Sequence, residues 1–378
     1  MNSRPKILIS CGEPSGEMYA THLATELKNT FPNAELYGIG TKELQKAGVK
    51  LVAHSDDLAI IGVLAIFTHL VAFFKVYRKV RHFIKTEHPD LLITIDYPGF
   101  NLSLAKFAKR QGVKTLYYIS PKIWAWRQYR IHTIKRFVDQ MAVIFPFEVD
   151  FYRRFNMPVT YVGNPLLKMI QNVPNKIEAK KSLGFKPEAE LVALFPGSRR
   201  SEIKHLLPIM LKAAQLLHEK FPNLQFVLPI ARSIPKELIV PLVPASLPLT
   251  LLTAEENYLA AKAATAVIAA SGTATLEVAL LETPLILTYK LSDLEFWLAK
   301  HLVKIPYVGL GNILVQREII PELLQKDATP KKIANEIHRL LTDKTYYTQK
   351  IADLSAIKSN LTDFPHTELI TLIQQLLK

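Results

Sequence analysis

The sequence predicts an α/β protein with two Rossmann-like, doubly wound domains. Short apolar, β-branched segments alternate with segments of helical periodicity, which is typical of parallel sheets covered by helices. The chain has 378 residues, enough for two such cores. A Gly-Asn-Pro sequence at Gly163 opens a stretch to about Lys176 that breaks the alternation and is interpreted as the linker. We therefore predict domains over 1–163 and 164–344, with the helices from about 345–378 as candidates to complete the first.

The charge and hydropathy of the chain limit the classes of ligand or surface that it is expected to bind. Hydrophobic residues make up 49% of the chain, and 47 Lys and Arg against 33 Asp and Glu give a net charge of +14. An apolar and basic chain favours anionic ligands or an anionic membrane surface, whereas nucleic acid would explain the charge alone. Cys11 is the one cysteine, which excludes an internal disulfide and suits a reducing cytoplasm. The apolar run Lys6–Ser10 is too short for a signal peptide and is predicted to be a strand.

The first domain is predicted to be a parallel sheet with a ligand-binding loop after its first strand. The predicted strands are Lys6–Cys11, Ala34–Gly38, Leu91–Ile95, Thr115–Ile119, Gln140–Ile144 and Thr160–Val162. The loop after the first strand contains Gly12, Glu13, Ser15 and Gly16, and a helix to about Thr30 follows it. Its glycines and serine would let the backbone approach a ligand. The loop lacks a GxGxxG pattern, and an ordinary tight turn is the simpler explanation.

An apolar segment from Leu58 to Phe74 runs directly into a basic one. It is close to the lower length limit for a membrane-spanning helix and contains Thr68 and His69, so we do not predict that it crosses a membrane. We predict instead a helix that lies in the headgroup region. The residues assigned to this role are Leu64, Phe67, Leu70, Phe73, Phe74, Lys75, Arg78, Lys79 and Arg81. The alternative is a buried crossover helix with a solvated basic end.

Asp96 follows the buried strand Leu91–Ile95 directly. The carboxyl ends of parallel strands form the crevice in which α/β proteins bind ligands. A carboxylate at that position could act as a general base if it reached a substrate hydroxyl. The competing explanation is a structural turn, because Asp is common before a sequence such as Tyr-Pro-Gly.

The loop after the next strand carries Trp124, Trp126 and Arg127. Aromatic rings beside cations suit a sugar, an acyl chain or a phosphate, and single-stranded nucleic acid also binds such groups. Packing of the rings on the core explains the same residues equally well.

The second domain contains two strand–turn–helix segments that suit an anion. The first is the strand Leu191–Phe195, followed by Gly197, Ser198 and Arg199 and a helix from Ile203. The second is the strand Ala264–Ala270, which is followed by a helix over Thr273–Leu281 with Ser271 or Thr273 as its N-cap. The turn residues here are Ser271, Gly272 and Thr273, and Glu277 lies one turn into the helix, where it would face a ribose. The two turns together favour a sugar-nucleotide diphosphate.

An ordered set of motifs resembles those of the lipid-A-disaccharide synthases, glycosyltransferases of the two-domain GT-B fold. The motifs are GEPSGE at 12–17, IDYPGFN at 95–101, SPKIWAWRQ at 120–128, PFE at 146–148, PGSRRSEI at 196–203, SGTATLE at 271–277 and FWLAKHLVKIPYVGLGNIL at 296–314. The likeness therefore covers nearly the whole chain. The chain departs from the family at Glu17, where Asp is usual, and at Asn164, where His is usual. We assign no catalytic work to either residue.

The resemblance implies a fold, a reaction and a set of site residues. Two Rossmann-like domains would face a cleft, and diacylglucosamine would pass from UDP to the 6-hydroxyl of diacylglucosamine 1-phosphate, forming a β-1,6 bond. The nucleotide would bind the PGSR turn, the SGT helix and the loop of Asn312, and Asp96 matches the catalytic carboxylate. No metal or cofactor and no nucleic acid is expected. The enzyme would be peripheral to the anionic inner-membrane surface of a Gram-negative bacterium, and a homodimer is one assembly compatible with it.

Once a UDP-sugar is accepted as the donor, the residues suggest how the reaction proceeds. Arg199 and the backbone N–H groups at 272–274 would meet the negative charge that grows on the leaving diphosphate. Asp96 would take the proton of the acceptor hydroxyl in a single inverting displacement. The alternatives are a lipid-II-type N-acetylglucosaminyltransferase, a UDP-sugar 2-epimerase, and a non-enzymatic protein that binds anionic membranes.

Overall fold

The structure is a computed structural model that describes residues 4–12, 14–54, 65–291 and 305–378. The chain divides into two compact units. Unit 1 comprises Met1–Pro165 and Phe364–Lys378, and unit 2 comprises Leu166–Asp363. Glu13 and Leu64 lie outside the described residues, as do the side chains of Ser15, Phe67 and Leu70.

Unit 1 is built on a parallel sheet of seven strands in the order β3-β2-β1-β4-β5-β6-β7. The strands are β1 Lys6–Cys11, β2 Glu35–Gly40, β3 Lys50–His54, β4 Leu91–Ile95, β5 Lys114–Tyr118, β6 Gln140–Val143 and β7 Val159–Tyr161. The helices are α1 Pro14–Thr30, α2 Lys42–Lys46, α3 Ala65–Glu87, α4 Pro98–Arg110, α5 Ile131–Phe137 and α6 Pro146–Arg153. The strands predicted for this unit are confirmed to within two residues at each end. β3 was missed, because a short segment that carries Lys50 and His54 gives little apolar signal.

The C-terminal end of the chain belongs to unit 1. Its last helix, Leu369–Leu377, is numbered α15 below. Thr367 N–H donates to the carbonyl of Tyr161 at the end of β7, at 3.0 Å. Lys114 Nζ donates to the carbonyl of Leu376 at 2.6 Å. These hydrogen bonds attach the C-terminal segment to the β5 and β7 side of the sheet.

From residue 72 onward, α3 is an amphipathic crossover helix between β3 and β4. Val76, Val80 and Ile84 are buried against the sheet, and Phe73 packs edge-on against Phe100 with ring centres 5.2 Å apart. The opposite face is exposed and carries Phe74 with the basic residues Lys75, Arg78, Lys79 and Arg81. This half of the helix therefore has the buried face of a crossover helix together with an exposed basic face, and its contact with a membrane stays a prediction. No helix in the described parts of the chain is long and apolar enough to cross a membrane.

Unit 2 is built on a parallel sheet of six strands in the order β10-β9-β8-β11-β12-β13. The strands are β8 Leu191–Phe195, β9 Gln225–Pro229, β10 Leu249–Leu252, β11 Ala266–Ala270, β12 Leu285–Tyr289 and β13 Glu322–Leu324. The helices are α7 Pro165–Ile170, α8 Lys176–Ser182, α9 Arg200–Lys220, α10 Asn257–Ala263, α11 Thr273–Leu280, α12 Leu310–Val315, α13 Pro330–Thr342 and α14 Lys344–Thr362. β8 and β11 are buried along their whole length, as their apolar sequences predict.

Two local predictions need correction. The stretch predicted as an irregular linker contains α7, which begins at Pro165, because proline is well suited to the first position of a helix. The strand predicted from Ala264 begins only at Ala266, because the backbone N–H of Ala264 still closes the last turn of α10.

Candidate functional site

In unit 1 the predicted site residues lie around the topological switch point of the sheet, where the strand order reverses between β1 and β4. β1 and β4 are neighbours in the sheet, with Cys11 opposite Ile95, although they are far apart in sequence. The loops after these two strands hold Gly12 and Asp96, so these residues lie at the same edge of the sheet. In doubly wound sheets this is the position at which ligands bind.

Position 12 requires glycine, because a neighbouring aromatic ring leaves no room for a side chain. A Cβ atom at Gly12 would collide with the aromatic ring of Tyr97 in the loop after β4. Gly16 lies against the Cβ atom of Cys11 and against Ile95. Gly12 therefore makes room for the loop after β4, whereas the contacts at Gly16 leave ordinary space for a Cβ atom.

Asp96 lies half-buried at the carboxyl end of β4. Its backbone and that of Tyr97 adopt left-handed conformations, both with φ of 45°. The structural-turn explanation therefore holds for Asp96, and its role as a base at this edge of the sheet stays a prediction.

The two residues at which the chain departs from the family pattern make structural contacts. Glu17, in the first turns of α1, accepts a hydrogen bond from the backbone N–H of Thr41 after β2. Asn164 is buried, and its side-chain amide donates to the carbonyl of Ile144 after β6 at 3.3 Å. Both contacts support loops at the carboxyl ends of the strands.

The two tryptophans of the loop after β5 have different surroundings. Trp124 packs edge-on against Phe147 with ring centres 4.9 Å apart, and its Nε1–H donates to Glu148 Oε1 at 3.1 Å. Trp126 is exposed, and the guanidinium of Arg127 stacks on its ring at 4.2 Å from the ring centre. Trp124 therefore anchors the loop, whereas Trp126 and Arg127 are presented to solvent, where a ligand can reach them.

Glu148 is a residue of this site that the sequence reasoning did not single out. It is 2% exposed, and its second carboxylate oxygen accepts from the backbone N–H of Phe145 at the start of α6. Burial raises the pKa of Glu148 to about 7, although hydrogen bonds from Ser120 and Trp124 oppose that rise. A signal was available, because Glu at the third position of a helix is typical of a capping box.

In unit 2, the PGSR turn uses its own backbone donors internally. Glu202 Oε2 accepts from the N–H groups of Ser198 at 2.9 Å and Arg199 at 3.2 Å, and its Oε1 accepts from Arg199 Nη1 at 2.9 Å. Gly197 has φ of 110°, and a Cβ atom there would collide with the Glu202 carboxylate. In the free protein Glu202 therefore occupies these backbone donors, and the binding of an anion at this turn stays a prediction. The group that faces solvent is the Arg199 side chain, which is 62% exposed.

The N-terminus of α11 is open in comparison. Its N-cap is Gly272, which has no side chain, so the prediction of Ser271 or Thr273 as N-cap is wrong. No side chain in the described part of the chain caps this end of the helix. Ser271 and Thr273 are half-buried beside it. The helix dipole and the N–H groups of the first turn therefore make this end of α11 suited to an anion.

Glu277 lies one turn further along α11 and is 8% exposed. Burial raises the pKa of its carboxyl group to about 7, and no hydrogen bond from a described residue opposes that rise. The same carboxylate contributes to raising the pKa of the nearby Tyr258. A buried carboxylate without a partner is costly in the free protein and suited to accept hydrogen bonds from a ligand's hydroxyl groups.

Asn312 at the start of α12 is completely buried, and its side-chain amide is fully hydrogen-bonded. Its Nδ2 donates to the Ile320 carbonyl and to Glu322 Oε1, both at 2.8 Å. Its Oδ1 accepts from the N–H groups of Ile319 at 2.9 Å and Ile320 at 2.8 Å. An asparagine amide has two donors and two acceptor sites, and in the free protein all of them have partners within the chain, so contact between Asn312 and a nucleotide stays a prediction. Asn312 holds the loop, and Glu322 extends this support to the N–H groups of Val308 and Gly309.

The burial of Glu277 predicts how the stability of the free protein depends on pH. Between about pH 4.5 and 7 the folded state keeps this proton whereas the unfolded chain loses it, so the free energy of unfolding falls as pH rises. Glu277→Gln removes the buried charge and should raise the free energy of unfolding by about 1–3 kcal/mol at pH 8, with little change at pH 4.5. It should also weaken UDP binding tenfold or more. Thermal unfolding with and without UDP measures both effects.

The matched control is Glu219→Gln, which makes the same change at an exposed glutamate of α9. It should alter neither the slope with pH nor the response to UDP. The interpretation of Glu277 fails if Glu277→Gln is less stable than the parent at pH 8, or if UDP stabilises both proteins equally. In Glu277→Gln the free energy of unfolding should depend less steeply on pH than in the parent, but some dependence should remain, because burial also raises the pKa of Glu148 to about 7.

Comparison with known proteins gives one consistent family. The family described as lipid-A-disaccharide synthetase matches residues 7–367. The chain is 42% identical to the lipid-A-disaccharide synthase of Nitrosococcus oceani over 361 residues, which covers 95% of this chain and 93% of the relative. It is 44% identical to that of Trichlorobacter lovleyi, covering 95% and 94%. It is 41% identical to that of Coxiella burnetii, covering 95% of each.

Solved structures of much lower sequence identity share the fold. A UDP-GlcNAc 2-epimerase from Neisseria meningitidis, solved with UDP-GlcNAc, aligns with a TM-score of 0.65 at 12% identity and covers 99% of each chain. The glycotransferase of kitacinnamycin aligns with a TM-score of 0.68 at 13% identity, covering 99% of this chain and 100% of that one. These likenesses identify the two-sheet GT-B architecture. The family match and the close relatives go further: this chain belongs to the lipid-A-disaccharide synthase family.

Proposed function

We propose that this enzyme transfers diacylglucosamine from UDP to the 6-hydroxyl of diacylglucosamine 1-phosphate. The C1–O bond to UDP breaks, a β-1,6 C–O bond forms, and UDP leaves with the bonding electron pair. The family match over residues 7–367 supports this hexosyltransferase reaction. The donor site is inferred from the N-terminus of α11, which has no side-chain cap, and from the buried Glu277 one turn further along the helix.

The donor's UDP is assigned to unit 2. The diphosphate would lie at the N-terminus of α11, against Ser271, Gly272 and Thr273, where N–H groups and the helix dipole favour negative charge. Glu277 would accept hydrogen bonds from the ribose hydroxyls, which would supply partners that its carboxylate does not find among the described residues. Arg199 would neutralise the charge that develops on the leaving phosphate. Gly197, Ser198 and Asn312 then act by holding their loops.

The acceptor is assigned to the sheet edge of unit 1. Asp96 would remove the proton of the 6-hydroxyl while its oxygen attacks C1 of the donor, which inverts that centre. The leaving diphosphate is already a stable anion and needs no separate acid. Trp126 and the Arg127 stacked on it are exposed near this edge and would contact the sugar or the 1-phosphate of the acceptor.

Release of UDP tests the reaction directly. Purified enzyme with UDP-2,3-diacylglucosamine should release UDP only when 2,3-diacylglucosamine 1-phosphate is present, in a one-to-one ratio with disaccharide. An epimerase would convert the donor sugar without an acceptor. A lipid-II-type transferase would require a lipid-linked muropeptide acceptor, and a non-enzymatic membrane binder would release no UDP. Each of these outcomes would refute the proposal.

We further propose that the enzyme binds the cytoplasmic face of the inner membrane through the exposed face of α3. That face places Phe74, which is 56% exposed, among Lys75, Arg78 and Lys79. An exposed aromatic ring within a basic cluster suits the headgroup region of an anionic membrane. Arg81 is less available, because its guanidinium stacks on the Phe107 ring at 4.2 Å from the ring centre.

Changing Lys75, Arg78 and Lys79 to Gln should weaken binding to anionic vesicles by roughly 1 kcal/mol per charge. Turnover of a short-chain, soluble substrate pair should hardly change, because none of these three side chains is assigned to the donor or the acceptor site. Vesicle sedimentation at low and high salt measures the binding. Lys181, Lys204 and Lys212 in unit 2 are exposed, and changing all three to Gln gives a control with the same net charge. Equal losses in the two variants would contradict a specific role for α3.

A further inference from the structure

The backbone at Asp96 and Tyr97 is held in a conformation that residues other than glycine avoid. Both residues have φ of 45°, and Ile119 at the end of the neighbouring strand has φ of 61°. Contacts of Cβ with the backbone disfavour this region, most strongly for bulky or β-branched side chains such as those of Tyr97 and Ile119. Such residues persist only where the surrounding structure enforces them. The turn after β4 therefore requires a support.

Two buried side chains hold the carbonyl oxygen of Asp96. Tyr117 Oη donates to this oxygen at 2.6 Å, and Asn101 Nδ2 donates to it at 2.8 Å. On the other side, the Asp96 N–H donates to the Ile119 carbonyl at 3.3 Å. These three hydrogen bonds fix the peptide groups on both sides of the Asp96 Cα atom.

The two supporting residues are themselves fixed from several strands. Asn101 is 0% exposed, its Oδ1 accepts from Ser10 Oγ at 2.6 Å, and its Nδ2 lies 3.1 Å from the Ile95 carbonyl. Tyr117 is 0% exposed, and burial raises the pKa of its hydroxyl well above the ordinary value, so it stays a donor. Ser10 lies on β1, Ile95 on β4 and Tyr117 on β5. Residues of three adjacent strands therefore support the Asp96 peptide, either directly or through Asn101.

We propose that Tyr117 and Asn101 are positioning residues that aim the Asp96 carboxylate at the acceptor hydroxyl. This inference rests on the proposed role of Asp96 as the base. The left-handed backbone determines the direction of the Cα–Cβ bond, and therefore where the carboxylate can reach. Without the two hydrogen bonds to its carbonyl, the Asp96 peptide would relax toward the ordinary helical or extended regions and the carboxylate would turn away. Both residues act through the Asp96 peptide.

Tyr117→Phe tests the proposal by removing one oxygen atom from the support. We expect kcat to fall about 10- to 100-fold, because a misplaced base loses its alignment with the reacting hydroxyl. The KM for each substrate should change less than about twofold, since binding does not depend on the direction of the carboxylate. Tyr118→Phe is the matched control, because it makes the same change at the next residue of β5, whose side chain points to the other face of the sheet.

The same substitution in an Asp96→Asn background separates positioning from general structure. If Tyr117 acts through Asp96, Tyr117→Phe should cause no further loss of turnover once the carboxylate is gone. A purely structural Tyr117 would lower activity by the same factor in both backgrounds, in proportion to folded protein, and that result would overturn the proposal. If Tyr117→Phe does not accumulate as folded protein, Asn101→Ser removes the second donor and is measured in the same way.

The remaining outcomes distinguish this inference from the proposed function. An inactive Asp96→Asn with a fully active Tyr117→Phe would overturn the positioning role and leave the proposed base in place. A fully active Asp96→Asn would remove the base, and the positioning role would fall with it. In that case UDP release by the parent enzyme would still stand as evidence for the reaction.

Discussion

Replacement of Asp96 by Asn is expected to lower turnover by roughly 10² to 10⁴ while the donor's affinity stays unchanged. The substitution keeps the size of the side chain and leaves the hydrogen bonds to the Asp96 carbonyl in place, so the turn after β4 should survive. It removes the group that would accept the hydroxyl proton. The acid limb of the pH–rate profile should disappear with it. Steady-state kinetics and thermal unfolding on one preparation measure the turnover and the stability of the variant together.

Asp90→Asn is the matched control for this variant. Asp90 lies just before β4, at the opposite edge of the same sheet, where its Oδ2 accepts from the backbone N–H of Lys6 at 2.7 Å. Asp90→Asn should cost some stability and leave turnover per folded molecule unchanged. If Asp96→Asn instead lowers the unfolding temperature and loses activity only in proportion to folded protein, Asp96 is structural. A stable and fully active Asp96→Asn would direct the search for the base to Glu13.

Arg199→Ala is expected to reduce turnover by on the order of a hundredfold or more, because it removes a cation that would oppose the charge growing on the leaving diphosphate. The loop should survive, since Glu202 keeps its hydrogen bonds to the backbone N–H groups of Ser198 and Arg199. The loss should appear in kcat at saturating donor, because the interaction strengthens in the transition state. Stopped assays of UDP release over a range of donor concentrations give the required values.

Arg200→Ala provides the comparison, because it removes the same charge from the adjacent exposed residue at the start of α9. Its turnover should stay within about twofold of the parent, since a nearby surface charge acts only weakly through solvent. Unchanged turnover of Arg199→Ala at saturating donor would exclude Arg199 from the mechanism. Equal losses in both variants would mean that net charge near the turn matters and that the position of the guanidinium does not.

The sequence by itself determined the elements of this protein and the loops in which chemistry is expected. β4 and β8 begin and end at the predicted residues, because a fully buried parallel strand requires a short apolar run that is visible in the sequence. The position of Asp96 directly after β4 follows from the same pattern. The ordered motifs also indicated the family that the comparisons then showed.

The sequence pattern did not show which polar groups of the predicted site have partners within the protein. The PGSR turn and Asn312 both have the composition of ligand-binding loops, yet Glu202 occupies the backbone donors of the first, and the amide of the second is fully hydrogen-bonded. Composition indicates that a group can bind an anion or a nucleotide. It does not indicate whether another residue of the chain already binds that group.

Only the tertiary structure decided which carboxylate is buried with no hydrogen bond from the described residues, and which residues support the Asp96 turn. Ser10 and Asn101 are separated by 91 positions, and Tyr117 and Asp96 by 21, yet each pair is within hydrogen-bonding distance. These contacts depend on the order of strands in the sheet, which places β1, β4 and β5 side by side. Strands and loops are encoded by neighbouring residues, whereas burial and hydrogen-bond partners arise from segments that meet only when the sheet has formed.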